Sequence, residues 1–116
     1  MVVETRKTDA NDSAMQHRIE KMRAHAPDAA GLMKALGNES RLMILCTLAE
    51  GERSVGELNT MIPLSQSALS QQLARLRGQG IVKTRRESQT IYYSLAPGPA
   101  DRVINLLHDI YCGTDE

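Results

Sequence analysis

The sequence predicts a mainly α fold with one small β-hairpin, in the order α-α-α-α-α-β-β-α. Three observations carry this. Apolar residues recur at helical spacing from Met15 onward, the period switches from 3.6 to 2 over residues 81–95, and Pro97 and Pro99 set off a last amphipathic stretch. The 116 residues, 41% apolar and 24% charged, suit one globular domain, placed at 14–116 behind a flexible polar arm at 1–13.

Met15, Ile19, Met22 and Ala26 share one side of a first helix that Pro27 is expected to end. Asp28 to Leu36 forms a second, with Leu32, Met33 and Leu36 apolar and Gly37 at its end. Asn38 caps a third, apolar nearly all round through Leu42, Met43, Ile44, Leu45, Cys46, Leu48 and Ala49, so it belongs in the core and stops at Gly51. Ser54 with Glu57 three residues on is a capping-box signature for a short helix through Leu58 to Ile62. Pro63 and Leu64 turn the chain, and Ser65 caps a helix running to Gly78 and Gly80. At 100° per residue, Leu69, Leu73 and Leu76 fall on one line, with Ser67, Ser70, Gln71, Ala74 and Gly78 opposite. Ile81–Arg86 and Thr90–Leu95 read as two strands joined through Glu87, Ser88 and Gln89, with Val82, Thr84, Ile91, Tyr93 and Leu95 able to face inward. The last helix runs from Asp101 to about Cys112 on a stripe of Val103, Ile104, Leu107, Ile110 and Tyr111.

The formal net charge is zero, with 14 basic and 14 acidic residues, but it is segregated. Residues 1–27 carry plus one, 28–64 minus two and 96–116 minus three, while 65–95 hold Arg75, Arg77, Lys83, Arg85 and Arg86 against Glu87 alone, a net of plus four. No apolar run approaches the roughly 20 residues of a membrane span. The polar N-terminus has no signal-peptide core, which points to a cytoplasmic address. Three tyrosines with no Phe or Trp do not make a stacking platform for single-stranded nucleic acid.

Two short helices joined by a tight turn, the second small and polar on its outer side, followed at once by a basic hairpin, form a winged helix-turn-helix pattern. A major groove about 12 Å wide admits one helix, whose Ser and Gln side chains hydrogen-bond base edges. Base contacts are accordingly expected from Ser67, Ser70 and Gln71, with Gln66 and Arg75 at the edges. Phosphate contacts fall to Ser65, Arg77, Lys83, Arg85, Arg86 and Gln89.

Three stretches resemble the ArsR/SmtB family of bacterial winged-helix repressors: Leu36-Gly37-Asn38-Glu39-Ser40-Arg41-Leu42-Met43-Ile44-Leu45, Glu50-Gly51-Glu52-Arg53-Ser54-Val55-Gly56-Glu57-Leu58, and Ser67-Ala68-Leu69-Ser70-Gln71-Gln72-Leu73-Ala74-Arg75-Leu76-Arg77 with Gly80-Ile81-Val82. The resemblance implies a homodimer packed through its first and last helices, with paired recognition helices on double-stranded operator DNA. The terminal apolar stripes suit such an interface.

Relatives in that family that sense metals carry a Cys-x-Cys pair before the recognition helix or Asp and His ligands on the last helix. Here Ser54–Leu58 holds no thiol, and the last helix has Asp101, His108 and Asp109 without a second His, so neither a metal nor another cofactor is expected. The chain is similar to the persulfide-responsive, BigR- and SqrR-like branch. That branch has one cysteine in the segment read here as Arg41–Leu48 and one near the end of the last helix, positions occupied by Cys46 and Cys112. The resemblance implies a dithiol switch: the reduced protein represses, and reactive sulfur species link the two thiols by a disulfide or polysulfide bridge and release the DNA. A metal- or peroxide-responsive repressor, with Cys112 and His108 one turn apart, is the alternative within the fold. A thiol oxidoreductase is the alternative outside it, and it lacks both a Cys-x-x-Cys and a βαβ pattern, with Arg41 the sole basic residue near Cys46 in sequence.

Overall fold

The computed structural model describes residues 9–113. Its elements run α1 (Asp9–Leu36), α2 (Glu39–Ala49), β1 (Arg53–Ser54), α3 (Val55–Met61), α4 (Gln66–Gly78), β2 (Val82–Glu87), β3 (Thr90–Leu95) and α5 (Pro99–Tyr111). The chain divides after Gly31 into two compact units.

In the first unit the expected break at Pro27 does not occur, and the two N-terminal helices are one, α1. Proline removes a single backbone donor, and here it lies in an alanine-rich, solvent-exposed stretch of high helix propensity, where the freed carbonyl is open to water. Asp9–Ser13, expected in the polar arm, is also helical. Helix propagation adds a hydrogen bond per residue without requiring an apolar face, so periodicity could not detect it. The rest of the expected arm, residues 1–8, lies outside the described residues. Met15, Ile19 and Met22 are all exposed.

The second unit holds the core. Ile44, Leu45 and Leu48 of α2, Leu58 of α3, Leu69, Leu73 and Leu76 of α4, Val82 of β2 and Ile104 of α5 are buried together with Ala35 and Leu36. Three caps read from the sequence are present. Asn38 accepts from the Arg41 N–H, Ser54 and Glu57 cap each other's backbone, and Ser65 accepts from the Ala68 N–H. Arg41 ties three elements together: its Nε donates to the Ala35 carbonyl at 2.7 Å, its Nη2 to the Lys34 carbonyl at 3.3 Å and its Nη1 to Gln72 Oε1 at 3.5 Å. A cation on the final carbonyls of α1 suits the negative end of a helix.

At the end of α4, Gly80 adopts φ 75, while the Ile81 N–H donates to the Leu76 carbonyl and the Gly80 N–H to the Arg77 carbonyl, both at 3.0 Å. This Schellman motif turns the chain directly into the hairpin. The hairpin pairs Val82 with Leu95 through Glu87 with Thr90, and Ser88, at φ 60, occupies the turn position where a two-residue hairpin calls for positive φ. The sheet has a third strand that the sequence pattern does not signal. Arg53–Ser54 pairs with Tyr93 and Tyr92, giving the order β1-β3-β2. Two residues are too few to show alternation. Among the described residues the element order is thus α-α-β-α-α-β-β-α, with five helices instead of six.

Candidate DNA-reading surface and thiol pair

The helix-turn-helix is built from its caps. The Ser54 N–H donates to Glu57 Oε1 at 2.9 Å while the Glu57 N–H donates to Ser54 Oγ at 3.1 Å, which sets the start of α3. The turn is held by Asn59 Nδ2 donating to the Leu64 carbonyl at 2.8 Å. With Leu69, Leu73 and Leu76 fully buried, the geometry of α4 leaves Gln66, Ser67, Ser70, Gln71, Ala74 and Arg75 exposed on one surface. Ser65 Oγ accepts the Ala68 N–H at 3.1 Å and lies 3.4 Å from Ser67 Oγ, so the cap hydroxyl sits at the edge of that surface. Gln72, by contrast, is half-buried and accepts from Arg41. Arg77 is exposed one turn before the hairpin.

The wing's charges divide between two faces because strand side chains alternate. Lys83, Arg85 and Glu87 lie on one face with Tyr92, which is paired with Arg85 and also with Ser54. Val82, Thr84 and Arg86 lie on the other, with Ile91, Tyr93 and Leu95. On the first face Arg85 is held by two carboxylates. Its Nε and Nη2 donate to the two carboxylate oxygens of Glu52 at 2.9 and 2.7 Å, its Nη1 donates to Glu87 Oε1 at 2.9 Å, and its guanidinium lies 4.8 Å from the centre of the Tyr92 ring. The hydrogen bond from Arg85 holds the Glu52 carboxyl below the usual carboxylate range. Arg86 has no carboxylate partner among the described residues, and Gln89 is exposed at the turn. With Glu52 added by folding, the five cations of residues 65–95 face two carboxylates, so the local charge is plus three rather than plus four.

Cys46 and Cys112 are both free thiols. Cys46 is half-buried on α2, and Cys112 is the exposed C-cap of α5, where its N–H donates to the His108 carbonyl at 2.8 Å. The two helices pack on each other, and the thiols lie within reach of each other's charge. The Cys46 thiol is pushed up above the ordinary thiol range, first by burial, then by Cys112, then by Glu50. Arg41, the basic neighbour in sequence, points instead to the end of α1 and to Gln72. Next to the thiols, His108 Nε2 lies 3.1 Å from Glu50 Oε2, a second link between the end of α2 and α5. No group of three or more His, Cys, Asp or Glu side chains among the described residues could hold a metal ion. No helix among them is long and apolar enough to cross a membrane.

Glu52, Tyr92 and Glu50 escaped the sequence reading. A period-2 strand puts Arg85 and Glu87 on one face, but only the pairing of β1 with β3 brings Glu52 across to them. Glu50 follows α2 directly, yet its place beside the thiols depends on how α5 docks.

Residues 38–84 match the model of the bacterial regulatory protein arsR family. The transcriptional activator HlyU of Vibrio cholerae is 47% identical over 98 residues, which span 84% of this chain and 91% of that protein. The biofilm growth-associated repressor of Agrobacterium fabrum is 48% identical over 95 residues, 82% of this chain and 81% of the relative. Among solved structures, the transcriptional repressor BigR from Xylella fastidiosa is 45% identical, with a TM-score of 0.75 over 84% of this chain and 96% of that one. With the helix-turn-helix and its wing in place and these relatives matched over most of their length, the chain belongs to the arsR family of bacterial regulatory proteins.

Proposed function

We propose that the chain is a dimeric transcriptional repressor that binds double-stranded operator DNA when Cys46 and Cys112 are reduced and releases it when persulfides link them. In this reading α4 enters the major groove with Ser67, Ser70 and Gln71 at base edges, flanked by Gln66 and Arg75. Ser65, Arg77, Lys83, Arg86 and Gln89 meet phosphates. Dimerisation is supported by apolar side chains left exposed on both terminal helices: Met15, Ile19 and Met22 on α1, and Leu106, Ile110 and Tyr111 on α5.

The observation that carries the switch is the placement of the only two thiols on α2 and α5, a core helix and a helix with an exposed apolar side, near enough for one to raise the other's pKa. One thiolate attacks the outer sulfur of a persulfide RSSH, forming a protein persulfide and expelling RS⁻. The second thiolate then attacks the inner sulfur, forming the disulfide and expelling HS⁻. If the first cysteine instead carries two added sulfurs (Cys–S–S–SH), attack of the second thiolate on the middle sulfur expels HS⁻ and leaves a trisulfide bridge, which spans thiols too far apart for a direct bond, whose Cα atoms lie within about 7 Å. A bridge between α2 and α5 changes how the dimer helix sits on the core, so inducer and DNA disfavour each other through one coupling free energy.

Operator release tests this. A persulfide donor is expected to free the wild type from the duplex, with dithiothreitol restoring binding, while Cys46→Ser and Cys112→Ser variants stay bound. Variants that release DNA as the wild type does would overturn the dithiol switch.

A further inference from the structure

We propose that Arg85 is a positioning residue withheld from DNA: Glu52 and Glu87 clamp it across the central strand, whereas Arg86, on the opposite face of the wing, is left free to meet phosphate. The proposal rests on the DNA-binding reading above.

Three features of the wing point the same way. First, three of the five N–H donors of the guanidinium are taken by two carboxylates. Nε and Nη2 form a bidentate pair with Glu52, Nη1 holds Glu87, and the flat side lies over Tyr92. A phosphate would have to displace a bidentate carboxylate to gain equivalent hydrogen bonds. Second, the face is neutral as a whole. Lys83 and Arg85 are matched by Glu52 and Glu87, and Glu52 feels the charge of Lys83 as well as that of Arg85. Third, the clamp joins the segment entering the helix-turn-helix to the wing. Glu52 immediately precedes β1, Ser54 at its end caps α3, and Arg85 sits in the middle of β2 with Tyr92 of β3 between them. The ion pair thus fixes the pitch of the hairpin relative to the start of the reading unit. Arg86 shares its face with Ile91, near the tip, and has no carboxylate partner among the described residues.

The salt dependence of duplex binding separates a phosphate ligand from a positioning residue, because each neutralised phosphate adds about 0.9 to the slope of log K against log salt. The full chain would be titrated onto a labelled duplex of random sequence. Arg86→Gln is expected to lower the slope by about 0.9 per protomer. The charge-neutral double variant Glu52→Gln, Arg85→Gln is expected to retain the wild-type slope. Glu52→Gln alone is expected to steepen it, because it frees Arg85. A double variant that loses as much slope as Arg86→Gln, or a Glu52→Gln variant with an unchanged slope, would overturn the proposal. Without DNA, the Arg85 Nε–H resonance is expected to exchange slowly with water in the wild type and rapidly in Glu52→Gln. Rapid exchange in the wild type also overturns the clamp. A protected resonance in a protein that binds no duplex leaves the ion pair standing and removes the DNA reading instead.

Discussion

Helices α4 and α5 are both 13 residues long, yet they use their faces in opposite ways. In α4 the apolar stripe is consumed inside the unit: Leu69, Leu73 and Leu76 are fully buried, and what remains outside is serine, glutamine, alanine and arginine. In α5 only Ala100 and Ile104 are buried, while Ile110 and Tyr111 are 59% and 82% exposed. A helix whose apolar side is satisfied offers its surroundings hydrogen bonds. A helix with apolar area left over calls for a second apolar surface. The first suits a polar groove and the second a copy of itself.

Substitutions on the two helices should therefore report on different equilibria. The largest effect is expected from Leu73→Ala, which leaves a cavity in the core and should lower unfolding free energy by about 2–5 kcal/mol, read from the denaturation midpoint. A change below that range would mean the α4 stripe is less tightly packed than its burial indicates. Next is Ile110→Ser. It should leave the fold of each protomer intact, judged by circular dichroism, and raise the dimer dissociation constant about tenfold or more, since burying one such side chain contributes about 1.5–3 kcal/mol. Unchanged sedimentation at equal concentration would remove α5 from the interface. The smallest effect is expected from Gln71→Ala. It should weaken a preferred duplex by about 1–3 kcal/mol and random DNA little, as measured by competition binding, and equal loss on both would assign Gln71 to backbone contacts.

Local chemistry was readable in advance and long-range pairing was not. Asn38, Ser54 with Glu57, and Ser65 act as caps because each bond closes over three residues, a distance visible in the sequence. The leucine stripe of α4 was readable for the same reason. Pro27 misled because its effect on a helix depends on whether the freed carbonyl is hydrated, which is a property of its surroundings. Strand β1 was missed because two residues have no period, and its existence depends on β3 being there to pair with. Arg85 looked like one more basic residue on the hairpin until Glu52, 33 positions earlier, arrived beside it.

By itself the sequence determined the caps, the buried stripe of α4, the hairpin and the basic bias of residues 65–95, because these follow from neighbours a few positions apart. The tertiary structure decided which of those charges remain free and where the two cysteines stand. Whether a charge is neutralised, or a thiol's pKa raised, depends on groups that only the packing of β1 on β3 and of α5 on α2 brings into each other's field.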